Sequence, residues 1–339
     1  MKVTDFDYEL PKELIAQHPV EPRDHSRLLV VDKDTGALEH RHFYDLPDFL
    51  RPDDLLVFND TRVIPARLFG IKEETGAHVE VFLLTRLNAT DWEALVRPGK
   101  KVRPGMRIRF AAELSCVVLS NTDFGGRVVR MEFEGVFEDI LDRLGETPLP
   151  PYIHATLEDK ERYQTVYSRE RGSAAAPTAG LHFTQRLLQE IKDKGCEEVF
   201  VTLHVGLGTF RPVTEENVED HPMHREYYSV SPEAAAAINR ARDEGRRIVA
   251  VGTTAVRTLE SAGASGRIVP GANSTTIFIY PGYRYKFVDA LVTNFHLPQS
   301  TLLMLVSALA GREVMLQTYA VAVQEKYRFF SFGDAMFIQ

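Results

Sequence analysis

Ser173-Ala174-Ala175-Ala176-Pro177-Thr178-Ala179-Gly180-Leu181-His182-Phe183-Thr184 is a run of small residues that ends on a histidine and a phenylalanine. Small side chains let a backbone come close to a ligand, and a glycine such as Gly180 permits a positive φ. A helix is predicted directly after the run. Thr184 is its N-cap, Leu187, Leu188 and Ile191 form its apolar stripe, and Lys194-Gly195 stops it. A loop that feeds a helix N-terminus offers free backbone N–H groups to an anion or a polar ligand. A tight structural crossover is the alternative reading.

The strands around this loop end in polar residues. Glu198 to Val205 reads as a strand with Val199, Val201, Leu203 and Val205 on one face and Phe200, Thr202 and His204 on the other. His204 then precedes the glycine-rich turn Gly206-Leu207-Gly208-Thr209-Phe210. Leu55 to Phe58 is a short apolar strand that ends in Asn59-Asp60-Thr61-Arg62. Arg247 to Val251 breaks at Gly252-Thr253-Thr254, and a helix is predicted from Ala255 to Ser261. Val288 to Phe295 ends in Asn294-Phe295-His296. An α/β sheet gathers such ends along one edge, where ligands bind. The structural alternatives are a self-bonded Asx turn at Asn59-Asp60 and an ordinary tight turn at Gly252. His221-Pro222-Met223-His224-Arg225-Glu226 adds two histidines and a glutamate suited to acid–base work. Pro222 argues against a helix that would pair His221 with His224 on a metal.

Further from the loop, Lys2 to Leu10 is expected to be extended. Leu28 to Val31 and His40 to Phe43 form a hairpin across Asp34-Thr35-Gly36. Ser231-Pro232 starts a helix that runs to Gly245, Thr276 to Tyr280 is expected as a strand, and Ser300 caps an apolar helix.

Between Arg62 and about Gly145 the character changes. Short β-rich segments at Val79–Leu83, Trp92–Val96, Arg107–Phe110, Cys116–Leu119 and Val128–Phe133 alternate with Gly and Pro turns. That pattern predicts a small barrel or sandwich inserted into a mixed chain. The insertion carries the densest basic stretch, Arg97, Lys100, Lys101, Arg103, Arg107 and Arg109, a candidate for phosphate-backbone contact. The alternative is a solvated turn.

A formal net charge of −8 excludes a protein coated in basic charge, so any nucleic acid must meet a local patch. The two cysteines, Cys116 and Cys196, form no C-x-x-C, which favours a reducing compartment over a zinc or disulfide framework. The start, Met1-Lys2-Val3-Thr4-Asp5-Phe6, lacks the apolar core of a signal peptide, and Leu302 to Ala310 is too short to span a bilayer. A cytoplasmic, monomeric protein without membrane contact is expected. From the residues alone, the reading reaches an enzyme acting on a nucleoside-like or other polar small molecule, with histidines at its site and no metal or dinucleotide signature.

The motifs also carry a resemblance. Asn59-Asp60-Thr61-Arg62-Val63-Ile64-Pro65-Ala66-Arg67, Leu149-Pro150-Pro151-Tyr152-Ile153, Ala175 to Phe183, Val201-Thr202-Leu203-His204-Val205-Gly206, Val251-Gly252-Thr253-Thr254 and Leu291 to Pro298 resemble the S-adenosylmethionine:tRNA ribosyltransferase-isomerase family of queuosine biosynthesis. The match covers nearly the whole chain and is weakest from about Lys72 to Leu141. The resemblance implies a discontinuous α/β domain, residues 1–61 and 150–339, with an inserted small β-barrel domain, residues 62–149. It implies S-adenosylmethionine as ribosyl donor and co-substrate, with no metal or further cofactor. The acceptor is a tRNA carrying 7-aminomethyl-7-deazaguanine at the wobble position. The product is epoxyqueuosine-tRNA, with adenine and methionine released.

Such a reaction needs a base to deprotonate the ribose carbon beside the sulfonium and a donor to help adenine leave. We expect His204, His224 and Glu226 to carry proton transfers, with His182 and His296 next. Asp60 is expected to hold the acceptor base or its amine. Substrate contacts are expected from Asn59, Asp60, Thr61, Arg62, Pro177, Thr178, Ala179, Gly180, Phe183, Gly206, Thr209, Gly252, Thr253, Thr254 and Asn294. Two other classes stay open from sequence: a tRNA-binding module without chemistry, and a nucleoside hydrolase that sends the same intermediate to water.

Overall fold

A computed structural model describes residues 1–155, 159–206 and 213–339. The predicted hairpin forms as β1 (Arg27–Val31) and β2 (Leu38–His42), followed by the short α1 (Leu46–Phe49). β3 (Leu55–Asn59) is buried throughout, and β4 (Thr61–Val63) follows it directly. The next six strands are β5 (Arg67–Lys72), β6 (His78–Arg86), β7 (Asp91–Arg97), β8 (Arg107–Arg109), β9 (Leu114–Asn121) and β10 (Arg127–Phe133). They close into an antiparallel barrel in the order β10-β7-β6-β5-β8-β9. Inward residues alternate along each strand: Val79, Val81 and Leu83, then Cys116 and Val118, then Val129 and Met131. Phe137, Ile140 and Leu141 of α2 (Phe137–Leu144) join that core.

The remaining elements are β11 (Glu170–Ser173), α3 (Gln185–Asp193), β12 (Glu197–Leu203), β13 (Glu226–Val230), α4 (Pro232–Asp243), β14 (Ile248–Val251), α5 (Thr253–Ala262), β15 (Gly271–Thr275), β16 (Ala290–Asn294), α6 (Thr301–Ala310), α7 (Arg312–Gln324) and β17 (Ala335–Ile338). A nine-stranded sheet runs β15-β13-β12-β3-β14-β16-β17-β1-β2. Its centre, β12-β3-β14-β16, is parallel, and these strands read as apolar runs because helices cover both faces. Leu55, Val57, Ile248, Ala250 and Leu291 face the core shared with α4 to α7; Leu56, Phe58, Val249, Val251 and Val292 face α3. The fold is therefore α/β with an inserted barrel, as expected.

Three local expectations differ. Val3–Phe6 is a 3₁₀ turn instead of extended chain, and it buries Val3 and Phe6. The strand expected at Thr276–Tyr280 lies earlier, at Gly271–Thr275. Thr275 Oγ1 accepts from Ile277 N at 3.0 Å and so ends the ladder. β5 and α2 went unread. A Cβ on Gly70 would lie 2.7 Å from Arg109 O, so the glycine that obscures β5 is what lets β8 approach it. Among the described residues, no helix is long and apolar enough to cross a membrane.

Candidate active site

Because β12, β3, β14 and β16 are parallel neighbours, their C-terminal ends share one edge. The small-residue loop crosses that edge. Ser173 Oγ accepts from Val205 N at 2.8 Å and donates to Ala175 O at 2.7 Å, while Ala174 N donates to Val205 O at 3.1 Å. Thr178–His182 then makes a 3₁₀ turn, and Thr184 Oγ1 accepts from Leu187 N at 3.1 Å to begin α3. Gly252 has φ +87°, and a Cβ there would lie 3.6 Å from the Ala179 methyl. This glycine does meet the positive-φ requirement.

Gly180 does not. It lies within the 3₁₀ turn and is absent from the positive-φ residues. Its lack of a side chain serves packing instead: a Cβ would lie 2.0 Å from Tyr167 Oη and 2.8 Å from Thr165 Cγ2.

A cleft of about 720 Å³, open mouth included, lies between the loop and the strand ends. Pro177, Thr178 and Ala179 form one wall; Gly252, Thr253, Thr254 and Thr293 to His296 form another. Ser300 and Leu302 bring in the start of α6, so the N-termini of α5 and α6 both meet the cleft. Two buried polar atoms on cleft-lining residues have no partner among the described residues: Thr254 Oγ1 and Asn294 Oδ1, on residues 9% and 3% exposed. The Asn294 amide nitrogen donates to Phe330 O at 2.9 Å and faces His182 Nε2 at 3.2 Å, which leaves Oδ1 as a free acceptor.

Leu302 also lines a second compartment of about 450 Å³, open mouth included. Ile277, Phe278, Ile279 and Leu305 give it apolar walls; His221, His224, Glu226 and Arg257 supply polar groups. Arg257 Nη1 donates to Glu226 Oε2, and Glu226 Oε1 accepts from Gly206 N at 3.0 Å. Arg257 Nε and Nη2 are buried and have no partner among the described residues. A planar guanidinium with two free donors in an apolar wall suits a carboxylate. Arg257 went unread in the sequence, although an arginine four residues after Thr253, beside Ala255, Val256 and Leu259, was a signal of a buried charge.

The histidines divide. His182 is enclosed, stacked on Phe43 at 4.9 Å, with Nδ1 2.7 Å from Ser26 Oγ and Nε2 facing Asn294; burial holds its pKa down at about 3. His296 lines the cleft with Nε2 2.9 Å from Thr293 Oγ1, and burial lowers its pKa to about 3. His204 lies on the far side of β12 from the cleft, where its neighbour Val205 is. Its Nδ1 is 2.8 Å from Thr61 Oγ1, and burial lowers its pKa to about 4. His224 meets the barrel, its ring 4.5 Å from that of Phe124.

The other expected contacts are placed as follows. Asn59 is buried, bonds Leu203 through both amide atoms at 3.0 Å, and receives Thr61 N at 3.2 Å. Asp60 accepts from Thr202 Oγ1 at 2.7 Å and Arg169 Nη2 at 3.0 Å. Arg62 donates to Ser168 and Glu161. Phe183 is core, edge-on to Phe43 and Phe58. The Asn59–Arg62 side chains are thus engaged within the protein, around the start of β11, and do not line the cleft. Thr209 lies outside the described residues.

Arg97, Lys100, Lys101, Arg103, Arg107 and Arg109 are all on the barrel surface. Arg107 pairs with Glu132. The loop backbone before β8 is pinned from inside: Arg127 donates to Gly99 O at 2.6 Å and Val102 O at 2.9 Å, and Lys72 donates to Lys101 O. The pinned carbonyls leave the Lys100 and Lys101 side chains in solvent.

Comparison with known proteins places the chain in a family. Residues 3–338 match the family described as queuosine biosynthesis protein. The chain is 63% identical, over 100% of both sequences, to the S-adenosylmethionine:tRNA ribosyltransferase-isomerase of Symbiobacterium thermophilum. It is similar in structure to the S-adenosylmethionine tRNA ribosyltransferase of Thermotoga maritima, with a TM-score of 0.58 and 40% identity over 99% of this chain and 100% of that one.

Proposed function

The chain belongs to the queuosine biosynthesis protein family, and on that premise we propose that it is an S-adenosylmethionine:tRNA ribosyltransferase-isomerase. It transfers the ribosyl group of S-adenosylmethionine to the aminomethyl nitrogen of 7-aminomethyl-7-deazaguanine at the tRNA wobble position and rebuilds it into epoxyqueuosine. Adenine and methionine leave.

The observation that carries this reading is the two-part cleft. It has free polar atoms at the ends of β14 and β16 and a buried, half-satisfied arginine in the adjoining apolar compartment. The adenosine part of the donor occupies the first compartment, against the α5 N-terminus, with Asn294 Oδ1 accepting and the Thr254 hydroxyl contributing a further bond. The methionine part occupies the second, with its carboxylate on Arg257 Nε and Nη2. The sulfonium withdraws electrons from the adjacent ribose carbon, and a neighbouring base takes a proton there. Glu226, fixed by Arg257 and Gly206 N, and His224 are the acid–base groups of that compartment. His182 acts as a positioning residue, because its ring holds the Asn294 amide.

The barrel cations Arg97, Lys100, Lys101, Arg103 and Arg109 hold the tRNA backbone, supported by their pinned loop and by the need for local attraction at a net charge of −8. The barrel, residues 62–149, is an insert in the α/β domain formed by 1–61 and 150–339; the barrel strands, all between Arg67 and Phe133, and the large-sheet strands, all up to Asn59 or from Glu197 on, support that division.

Incubation with S-adenosylmethionine, with and without precursor tRNA, tests the reading. Adenine and methionine are released only when tRNA is present. Release without tRNA would indicate a hydrolase, and no release under either condition would leave only a binding module.

A further inference from the structure

A third cavity, lined by other residues than the donor cleft, lies between the barrel and the α/β unit. It encloses about 1160 Å³ with its open mouth, and Trp92, Phe137, Arg86, Arg171, His204 and Tyr227 are among its walls. Three features of it suit a flat, polar-edged ring. The His204 and Tyr227 rings stack with centroids 5.4 Å apart and planes 18° from parallel, and Tyr227 stays 41% exposed. Trp92 is 3% exposed, and its Nε1 donor has no partner among the described residues. A buried indole N–H without a protein acceptor is costly, and an acceptor on a ligand would relieve that cost.

The third feature is at His204. The Thr61 hydroxyl lies 3.4 Å from Glu170 O and 2.8 Å from His204 Nδ1; in the tautomer that carries its proton on Nδ1, that N–H donates to the hydroxyl and Nε2 is left with its lone pair. Gly172, with φ +152°, keeps that nitrogen clear, since a Cβ there would lie 2.7 Å from it. Arg86 stands 5.6 Å from the Trp92 ring and pairs with Glu138; Arg171 pairs with Asp142. Both arginines have side chains more than one-third exposed and can meet phosphate.

We propose that this cavity takes the wobble nucleobase of the tRNA, turned out of its stack. The inference rests on the ribosyl-transfer reading above. An enzyme that modifies a base within folded nucleic acid must extrude it, and it reads the base by stacking and edge hydrogen bonds. Tyr227 is the stacking platform, Trp92 Nε1 donates to an edge acceptor, and His204 Nε2 accepts from the aminomethyl nitrogen. The end of β12 contributes to the walls of both cavities, the consecutive residues His204 and Val205 lining one each. A base held here lies one residue along the chain from a wall of the donor cleft. The backbone bond from His204 N to Tyr227 O at 3.0 Å holds the stacked pair in register.

The test is a double-mutant cycle on binding. Wild type, Tyr227→Ala and Tyr227→Phe are titrated with an anticodon stem-loop carrying 7-aminomethyl-7-deazaguanine, and with the same stem-loop abasic at the wobble position. Loss of base–aromatic stacking weakens binding by about tenfold or more. In wild type, removal of the base should cost that factor; in Tyr227→Ala it should cost almost nothing further, and Tyr227→Phe should behave as wild type. Affinity for S-adenosylmethionine, measured by calorimetry, stays the same in all three and reports that each variant is folded. Independent, additive losses from the ring and the base would overturn the proposal. If wild type bound both stem-loops and released no adenine, the ribosyl-transfer reading would fail instead.

Discussion

Arg257 on α5 and Glu226 on β13 form an ion pair in which the residues are only 5% and 3% exposed, and two of the guanidinium nitrogens have no partner among the described residues. A buried charge is kept only when its surroundings repay its desolvation, and one carboxylate covers only part of an arginine's donor set. The unfilled donors point to a ligand that completes them.

Arg257→Lys separates charge from geometry. Lysine keeps a positive partner for Glu226 but is a point charge without the planar fork. Removing one charge-assisted hydrogen bond weakens binding by roughly ten- to a hundredfold. We expect that drop in S-adenosylmethionine affinity by calorimetry, with a cooperative urea transition retained. Unchanged affinity would remove Arg257 from the donor site.

Gly180→Ala is expected to destabilise the fold, because the new methyl would meet Tyr167 Oη at 2.0 Å. Overpacking of this kind costs about 1–3 kcal/mol. The Tyr167 hydroxyl is buried and unpartnered among the described residues, so Tyr167→Phe alone should be close to neutral. The pair Gly180→Ala with Tyr167→Phe should recover part of the stability, with the Thr165 Cγ2 contact at 2.8 Å remaining. Urea midpoints of the three variants decide it; equal destabilisation in Gly180→Ala and the double variant would show that Tyr167 is not the obstacle.

Acid should weaken the protein through its buried histidines. His182 and His296 titrate at about 3 and His204 at about 4 in the folded chain, against 6.5 for an unperturbed histidine. The unfolded chain therefore binds more protons below pH 6.5, and stability falls as pH drops from there toward 4. Each histidine contributes a slope of up to about 1.4 kcal/mol per pH unit. Their stabilising effect is complete above about pH 6.5. Urea unfolding at about pH 7, 6 and 5 should show a steady decline, and His182→Asn should flatten it. A pH-independent midpoint over that range would mean that these rings are solvated.

Lys100→Ala with Lys101→Ala should weaken tRNA binding and shallow its salt dependence, by roughly one unit of slope for each phosphate no longer neutralised. S-adenosylmethionine affinity should not change, since neither lysine lines the cleft. An unaltered slope would place the RNA footprint elsewhere, for example around Arg284 and Lys286.

Much of the fold was legible because its strands obey simple periodicities. The β12 alternation put Val199, Val201, Leu203 and Val205 into one core and His204 opposite, and the caps at Thr184, Ser231 and Ser300 fell where side-chain oxygens meet backbone N–H groups. What escaped depended on distant packing. β5 was hidden by Gly70, whose use appears only when β8 lies against it. The site was legible as an edge of strand ends but not in its partition. Spacing alone does not reveal that Asn59 bonds across to Leu203, or that residues 204 and 205 line different cavities. Arg257 was missed because a sequence does not say which helix face is buried until its neighbours are known.

The central claim is that the ribosyl group of the donor, and not its methyl group, enters RNA. The direct measurement uses two preparations of S-adenosylmethionine, one labelled in the ribose carbons and one in the methyl carbon, each incubated with precursor tRNA and the protein. The account predicts ribose label in the digested tRNA nucleosides, with the methyl label recovered as free methionine. Methyl label in the RNA, or ribose label that stays with a free sugar while the RNA is unlabelled, would contradict it.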